Sequence, residues 1–509
     1  MLFSYLVFTV IFVQWGSALP LQGVFWIAAF VGLVNGFVTQ RLFVWKSRGP
    51  VGAQLARFLL FNISFSALNA VGLELSLLFF GGNPLIHQAL FNVFFAGLAF
   101  VVSRDIIFVE GSEGRAHRLS REGAEAKRVD VFLQYYFPHV SGLTNMAVEL
   151  AEYAAITGWK VHVHATGNET ACVKRNSVDV HTYKKWFRVG RAAFSPGLAL
   201  KMIRLRKQPL GIVHVHMPFP DSLCLSLLLP KGTRLVVTYH CDSPMGGFGQ
   251  ALVSGLLDSS QKNLLRRADR VVFSSKDYAE HSRSYRHLKK SQVSVIPVTC
   301  RNRSGGEPRF RVEDMRLIGF LGRPTQEKGI DVLLDAMDLL PPDVGLLFAG
   351  PETDLSEKPH FQEEKMKMLE GDGRVFRTGF LAESEVPDFY SSVDVFVFPS
   401  VNSFEAFGIV QVEAISAAVP VVSSDLPGVR TIAKAAKAGE IARVGDPSDL
   451  AEKISSALEA KYDMKSAQAF VASKYLFPRP HVEYERLYQA IRNETLSSHP
   501  PASKAGGSQ

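Results

Sequence analysis

The sequence predicts two different parts: an α-helical transmembrane bundle of four helices, then a much longer α/β region with two parallel-sheet domains. Three observations carry this prediction. Residues 1–111 are almost wholly apolar, whereas the full 509-residue chain is 47% hydrophobic. Residues 129–167 show the pattern of strand, loop, helix and strand, and residues 316–337 begin a second strand–helix unit. Such alternation is typical of parallel sheets covered by helices.

Charge and cysteine usage narrow the class of partner and the compartment. The formal net charge is +8, and basic residues concentrate beside the apolar runs and in the segment that follows them. This pattern favours an anionic membrane surface over nucleic acid, since the sequence contains no nucleic-acid motif and no basic patch interleaved with aromatic residues. The four cysteines are widely spaced without a C-x-x-C pair, as expected of reduced cytosolic thiols.

Four apolar runs make up the first part of the chain, at about 2–18, 22–45, 57–80 and 85–108. Each is about long enough to cross a hydrocarbon core of about 30 Å. A signal peptide is the alternative for the first run, but no Lys or Arg precedes it and a second long run follows at once. Lys and Arg lie between the second and third runs and after the fourth. The positive-inside rule therefore predicts a multi-pass protein of the cytoplasmic (inner) membrane, with both termini and the α/β half in the cytoplasm.

A short motif recurs within the apolar residues 1–111 at an offset of 63 positions, from Arg41 to Arg104. FVTQRLFVW and FVVSRDIIF share a phenylalanine, a valine, the arginine and a terminal aromatic residue, which predicts two hairpins from one duplicated unit. The pattern resembles the GtrA-like family of four-helix membrane proteins. That resemblance implies an association with polyprenyl-phosphate-linked sugars, with both arginines near the lipid. Snorkelling of both side chains to the cytoplasmic interface is the alternative.

The first α/β domain is expected over 129–300, after a basic cytoplasmic linker at 112–128. Ligands of open α/β sheets bind outside the carboxyl ends of the strands. His216, His240 and Asp242 follow or end such strands. A structural hydrogen bond is the alternative for each of them, and their spacing with the intervening cysteine fits no zinc pattern.

The second α/β domain is expected over 301–494, followed by a polar tail at 495–509 that we expect to be disordered. Its first strand ends at Arg323, and Lys328 precedes the next helix. Two cations at these places suit a pyrophosphate, because arginine binds it bidentately and lysine as a point charge. A solvated basic loop is the alternative.

The most specific motif is SFEAFGIVQVE, from Ser403 to Glu413. A buried strand is expected before it and a helix within it, so backbone N–H groups and the positive helix end converge on this crossing. Gly408 lets the backbone approach a ligand closely, between Glu405 and Glu413. A phosphate cradle flanked by carboxylates suits a ligand with phosphate and hydroxyl groups, such as a nucleotide sugar. The alternative is two ordinary helix carboxylates.

This E-x7-E element resembles that of retaining glycosyltransferases with the GT-B fold, family 4 in particular. The resemblance extends over about residues 129–492 and implies two Rossmann-like domains, with the helix expected at 479–491 crossing back to the first domain. Such enzymes need no bound metal, so no cofactor is expected besides the nucleotide sugar as co-substrate.

The same resemblance implies a role for each motif residue. Glu405 would contact hydroxyls of the transferred sugar and Glu413 those of the ribose, while His240 would line the cleft as a catalytic residue. The family's first loop commonly carries two glycines, but here only Gly142 follows Ser141. The implied donor-binding residues are Gly142, Arg323, Lys328, Phe407, Gly408 and Glu413; the implied acceptor or lipid residues are Arg41, Arg104 and Asp242.

The sequence thus predicts a membrane-anchored retaining hexosyltransferase. It would move a sugar from a UDP- or GDP-sugar to a lipid-linked or cell-envelope glycan acceptor. One alternative is a protein that translocates polyprenyl-phosphate sugars, whose soluble half mainly binds the nucleotide sugar or lipid-sugar. A GT-B sugar-phosphate synthase is a second alternative, which the fused membrane segment disfavours.

Overall fold

The computed structural model divides the chain into two compact units, Met1–Ala116 and His117–Gln509. The residues that it describes are 33–34, 36–44, 51–52, 54–62, 122, 124–137, 139, 141–189, 192–205, 208, 210–230, 232–242, 261–351, 362–402 and 405–498.

In the first unit the described residues are helical within 33–44 and 51–62, and they include a short π-helix, Gln40–Val44. Phe37 and Phe58 pack edge to face with ring centroids 5.4 Å apart. Across the described part of the chain, no helix is both long and apolar enough to cross a membrane. Most of the four predicted runs lies outside the described residues, so the four-helix transmembrane bundle stays a prediction.

The second unit contains two parallel sheets. The first has eight strands in the order β10-β9-β8-β7-β1-β2-β4-β3, and only the β3–β4 pair is antiparallel. Its strands are β1 Arg128–Tyr135, β2 Lys160–Gly167, β3 Ala171–Arg175, β4 Val178–Lys184, β7 Ile212–Met217, β8 Arg234–Tyr239, β9 Arg270–Phe273 and β10 Val293–Val295. A separate two-stranded hairpin consists of β5 Phe187–Val189 and β6 Ala192–Phe194. The central strand β7 is buried along its whole length, as expected of a parallel sheet covered on both faces.

The second sheet has six strands, all parallel, in the order β13-β12-β11-β14-β15-β16. Counted along this domain the order is 3-2-1-4-5-6, which is the doubly wound arrangement of dinucleotide-binding domains. Its strands are β11 Arg316–Leu321, β12 Val344–Ala349, β13 Val375–Gly379, β14 Val395–Phe398, β15 Val421–Ser424 and β16 Gly439–Ala442.

Helices connect the parallel strands in both domains. Those of the first domain include α1 Gly142–Ile156, α2 Pro196–Leu205, α3 Ser222–Leu228 and α4 Lys276–His281, and residues 261–267 are helical as well. Those of the second are α5 Ile330–Met337, α6 Glu363–Gly371, α7 Val386–Ser391, α8 Ile409–Ser416, α9 Arg430–Ala436, α10 Pro447–Glu459, α11 Met464–Lys474 and α12 Arg479–Ser498. The expected alternation of strand and helix over 129–167 and 316–337 is confirmed.

The last helix, α12, returns to the first domain as expected. The Tyr488 hydroxyl lies 2.6 Å from Nδ1 of His214 on β7, and the Tyr484 hydroxyl lies 2.9 Å from the hydroxyl of Thr238 on β8. Glu485 accepts a 2.7 Å hydrogen bond from the Trp159 indole. All four tyrosine, histidine and threonine side chains are buried, so these bonds form where water does not compete with them.

Two arginines of the joint between the domains hold carboxylates from both sides. Arg301 pairs with Glu149 of α1 at 3.1 Å and with Glu383 at 2.6 Å. Arg303 also pairs with Glu383, and it pairs with Glu413 of α8 at 3.0 Å. The Arg303–Glu413 pair is buried, with side chains 9% and 8% exposed, whereas the Arg301 side chain is 53% exposed. Only the Arg303–Glu413 pair is therefore shielded from water and salt.

We predict that Tyr488→Phe lowers the stability of the α/β unit by about 1–3 kcal/mol, because His214 keeps a buried ring nitrogen without its partner. Thermal unfolding of the purified full-length variant measures the loss. Tyr462→Phe is the matched control, since its hydroxyl bonds to Glu440 in a half-exposed position. If both variants melt at the wild-type temperature, the α12 contact does not stabilise the fold.

We predict that Arg303→Gln destabilises the α/β unit by about 3–5 kcal/mol, because it leaves the Glu413 carboxylate buried and unpaired. Arg301→Gln, two positions away and exposed, should cost no more than about 1 kcal/mol. Chemical denaturation of the full-length variants compares the two.

The Arg303→Gln deficit should also depend on pH. Burial raises the pKa of Glu413, and Arg303 opposes this rise. Without Arg303 the folded-state pKa rises further, so the native state retains a proton that the unfolded state loses. The deficit therefore grows as pH rises from below the ordinary value of 4.5 through the raised value. Equal deficits at about pH 5 and about pH 8 would contradict this account.

Candidate active site

The candidate site lies where the strand order of the second sheet reverses, between the neighbouring strands β11 and β14. Ligands of doubly wound sheets bind at this switch point, outside the carboxyl ends of the strands. The predicted cations follow β11, and the E-x7-E motif follows β14. The fold therefore brings the two predicted halves of a donor site to the same crevice.

The loop after β11 is locked against the loop after β14. Gly329 has a φ of +70°, and a Cβ on it would lie 1.9 Å from the carbonyl oxygen of Pro399. The backbone N–H of Val401 donates to the carbonyl of Glu327 at 3.1 Å. Any side chain at Gly329 would force these loops apart, which explains why the turn after Lys328 is glycine.

Lys328 and Glu405 are brought together. The Lys328 ammonium donates to the Glu405 carboxylate, and the side chains are 27% and 20% exposed. The ammonium also lies 5.4 Å from the centre of the Phe398 ring. Arg323 is more open, 52% exposed and 3.8 Å from Glu327. The partial exposure of all three predicted residues leaves them accessible to a ligand.

Helix α8 starts directly after Gly408, at a backbone position that only glycine fits. Its φ is +84°, and a Cβ would lie 2.6 Å from the Phe398 ring. The ring of Phe407 is 5% exposed and packs on Tyr475 with centroids 5.6 Å apart. The structure thus uses the Phe407 side chain for packing, and the predicted donor contact of Phe407 stays a prediction.

Glu413 lies one turn into α8, buried and bound to Arg303. Its second carboxylate oxygen lies 3.5 Å from the Tyr390 hydroxyl. No local sequence pattern singled out Arg303 as the partner of Glu413. The predicted ribose contact of Glu413 stays a prediction, and any ligand that reaches this carboxylate meets it already paired.

The first domain reaches the second across the cleft at three places. A Cβ on Gly142 would lie 3.9 Å from the Ile409 side chain at the start of α8, so the predicted donor loop faces the E-x7-E helix. The Ser274 hydroxyl donates to the Ala406 carbonyl at 3.2 Å. Asp277 accepts from the Gly428 N–H at 2.8 Å and binds Arg430 at 2.7 Å. The sequence did not single out these last contacts, because each joins residues far apart in the chain.

His240 follows β8 at the carboxyl edge of the first sheet, as expected. Its backbone N–H donates to the Met217 carbonyl at 3.0 Å, and its Nε2 lies 2.9 Å from Nδ1 of His216. Burial lowers the pKa of His240 to about 4, so the ring is neutral at neutral pH. It can therefore accept or donate a hydrogen bond, but it does not supply positive charge.

Asp242 is held in an internal network. Its Oδ1 accepts from the Tyr239 hydroxyl at 2.6 Å and from the Ser282 hydroxyl at 2.9 Å, and its Oδ2 lies 3.3 Å from the backbone nitrogen of Arg283. These bonds fit the structural alternative for Asp242, and its predicted acceptor contact is not tested by them.

Of the two predicted lipid-contacting arginines, Arg41 donates to the side chain of Gln54 in the first unit, and Arg104 lies outside the described residues. Within the described ranges, no group of three or more His, Cys, Asp or Glu side chains is arranged to hold a metal ion.

Two protein-family models match the α/β half. The model described as Glycosyltransferase Family 4 matches residues 140–298, and the model described as Glycosyl transferases group 1 matches residues 307–475. The second match contains the cation loop and the E-x7-E motif.

Characterised proteins of similar sequence are glycosyltransferases. The O-antigen chain mannosyltransferase C of Escherichia coli is 27% identical over 304 residues, which are 58% of this chain and 78% of that protein. The phosphatidyl-myo-inositol mannosyltransferase of Mycobacterium leprae is 26% identical over 339 residues, 64% of this chain and 86% of that protein.

Solved structures match in fold. The Anabaena HepE structure in complex with UDP has a TM-score of 0.58 at 17% identity, covering 71% of this chain and 99% of its own. The sucrose-phosphate synthase of Thermosynechococcus elongatus has a TM-score of 0.58 at 18% identity, covering 72% of this chain and 99% of its own. These likenesses support the GT-B fold of two Rossmann-like domains. The two family models and the relatives give the activity: the chain is a glycosyltransferase, with a family 4 domain followed by a group 1 domain.

Proposed function

We propose that the protein is a membrane-anchored retaining glycosyltransferase that transfers a hexose from a nucleotide sugar to a lipid-linked or cell-envelope glycan acceptor. The observation that carries the donor part is the Lys328–Glu405 pair at the switch point of the second sheet. A cation for the diphosphate thus lies beside a carboxylate for sugar hydroxyls, as a nucleotide sugar requires.

The proposed chemistry is mainly electrostatic. Lys328, Arg323 and the start of α8 would stabilise the negative charge that grows on the departing diphosphate. Glu405 would orient the transferred sugar through its hydroxyl groups. Glu413, held by Arg303, would anchor the ribose. His240 would meet the sugar from the first domain. No bound metal is needed for this scheme.

The acceptor part of the proposal rests on the apolar residues 1–111 and on the relatives. The relatives' names associate mannosyl transfer with the O-antigen chain and with phosphatidyl-myo-inositol. We infer a lipid-anchored acceptor for this protein too, presented at the cytoplasmic face of the inner membrane by four transmembrane helices. Mannose donors therefore come first in a panel of UDP- and GDP-sugars.

The test is lipid mass spectrometry of membranes that contain the full-length protein, after incubation with each labelled donor. We predict a sugar-bearing lipid product from one donor, and a loss of about 10²–10³-fold in rate for Lys328→Ala, because charge on the diphosphate grows in the transition state. Donor KM should rise and kcat should fall together.

Lys367→Ala is the matched control, because this lysine is 65% exposed on α6 and pairs only locally with Glu363. A loss below about threefold in Lys328→Ala would remove this lysine from the site. Donor binding without any sugar transfer to lipid would instead favour the alternative of a lipid-sugar translocation protein.

A second prediction concerns the repeated motif around Arg41 and Arg104. Each basic residue near an anionic lipid surface contributes about 1 kcal/mol. We therefore expect Arg41→Gln/Arg104→Gln to weaken lipid engagement roughly 30-fold while donor hydrolysis stays at the wild-type rate. Rates of lipid product and of nucleotide release, measured side by side, separate the two effects.

The matched control is Lys461→Gln/Lys465→Gln, which removes the same charge from exposed positions of the α/β half. If the arginine variant forms lipid product at the wild-type rate in intact membranes, the repeated motif serves as an anchor alone.

A further inference from the structure

His216 lies beneath His240 and contacts it directly. The parallel neighbours β7 and β8 pair His216 with Thr238, two positions before His240. Nδ1 of His216 lies 2.9 Å from Nε2 of His240, and the two rings stack with centroids 5.2 Å apart. His216 is fully buried, whereas His240 is half-buried at the edge of the sheet. The buried ring therefore supports the one that a ligand can reach.

Both rings are neutral at neutral pH. Burial, reinforced by neighbouring histidines, holds the pKa of His216 well below its ordinary value, and burial lowers the pKa of His240 to about 4. A hydrogen bond between two neutral imidazoles joins one N–H to one lone pair. Either His216 Nδ1 or His240 Nε2 must therefore carry the donated proton.

The surroundings of His216 favour His216 as the donor. Its Nε2 is buried and has no hydrogen-bond partner among the described residues. If His240 donated, the only proton of His216 would lie on this Nε2, as a buried N–H without an acceptor. Orphaned buried N–H groups are rarer than under-satisfied acceptors. The favoured arrangement therefore has Nδ1–H of His216 donating to Nε2 of His240.

A second histidine fixes the orientation of the first. His214 lies against His216 with ring centroids 4.5 Å apart. Both nitrogens of His214 are engaged, Nδ1 by Tyr488 at 2.6 Å and Nε2 by Thr238 at 2.7 Å. Because both ring nitrogens of His214 are hydrogen-bonded, its ring is fixed, and the His216 ring packs against it.

We propose that His216 is a positioning residue that holds His240 in the Nδ1–H tautomer, so that a neutral imidazole offers a hydrogen-bond donor to a sugar oxygen in the cleft. This inference rests on the proposed function, since it assumes that a sugar lies beside His240. Nδ1 of His240 has no hydrogen-bond partner within the part of the chain that the structure describes, which leaves it for a ligand.

This tautomer limits what His240 can do in the reaction. An Nδ1–H group stabilises negative charge on an oxygen or fixes a hydroxyl, but it cannot accept a proton. Neutral imidazole is known as such an electrophile in other active sites. His240 would then orient and polarise its ligand rather than act as a base through Nδ1.

Substitution of His216 tests the proposal in the full-length protein. His216→Phe keeps a ring but removes the donor, and should lower kcat by about 10–100-fold, the range found when the hydrogen-bond partner that orients a metal-bound histidine is removed. His216→Asn places an amide N–H near the position of Nδ1–H and should stay within about threefold of wild type. Donor KM should change little in both, and thermal unfolding identifies any variant that fails to fold.

Substitution of His240 tests the tautomer independently. The amide nitrogen of Asn lies near the place of Nδ1, and that of Gln near the place of Nε2. We therefore expect His240→Asn to retain at least about tenfold more activity than His240→Gln. This ranking decides the matter even if His216→Phe does not fold.

The outcomes separate this inference from the proposed function. Equal losses in His216→Phe and His216→Asn, or a His240→Gln variant more active than His240→Asn, would overturn the positioning role while leaving the glycosyltransferase assignment intact. Wild-type activity in both His240 variants would instead remove His240 from the site and with it the assumption on which the inference rests.

Discussion

The return of α12 to the first domain is the contact on which the arrangement of the α/β unit depends. Tyr488 and Tyr484 bond to His214 on β7, which also carries His216, and to Thr238 on β8, which ends just before His240. Helix α12 thereby connects the second domain to the first, and it packs on the strands β7 and β8 next to the candidate site. Since these bonds are buried, they contribute to the relative placement of the domains as well as to stability.

The two carboxylates of the E-x7-E motif have different cations and different surroundings. Glu405 pairs with Lys328 in a part-exposed crevice, whereas Glu413 pairs with Arg303 in the interior. The first pair is open to exchange with a charged ligand. The second ties the donor helix to the joint between the domains, where Arg301 and Arg303 share Glu383. Glu413 is therefore linked to the first domain through Arg303, Glu383 and Arg301, which pairs with Glu149.

In the first domain, the hydrogen bond between His216 and His240 orients a side chain that faces the cleft. His240 has its ring orientation set by a buried neighbour, and that neighbour is set by His214 and the tyrosine of α12. A chain of neutral groups thus runs from the last helix to the cleft. Charge is concentrated on the other wall of the cleft, at Arg323, Lys328 and Glu405. This division suits a ligand with a charged diphosphate at one end and a neutral sugar at the other.

The sequence by itself determined the strand–helix alternation over 129–167 and 316–337 and the crossing helix, because the spacing of apolar runs and glycines is local along the chain. It also singled out Lys328 and Glu405, which the fold brings into contact although they are 77 positions apart. Only the tertiary structure decided that Phe407 packs inward, that Arg303 binds Glu413, and that His216 supports His240. Each of these depends on contacts between segments distant in sequence, and local patterns carry no information about which distant side chain a buried polar group will meet. The predicted membrane helices and Arg104 lie mainly outside the described residues, so for them the sequence remains the source of the prediction.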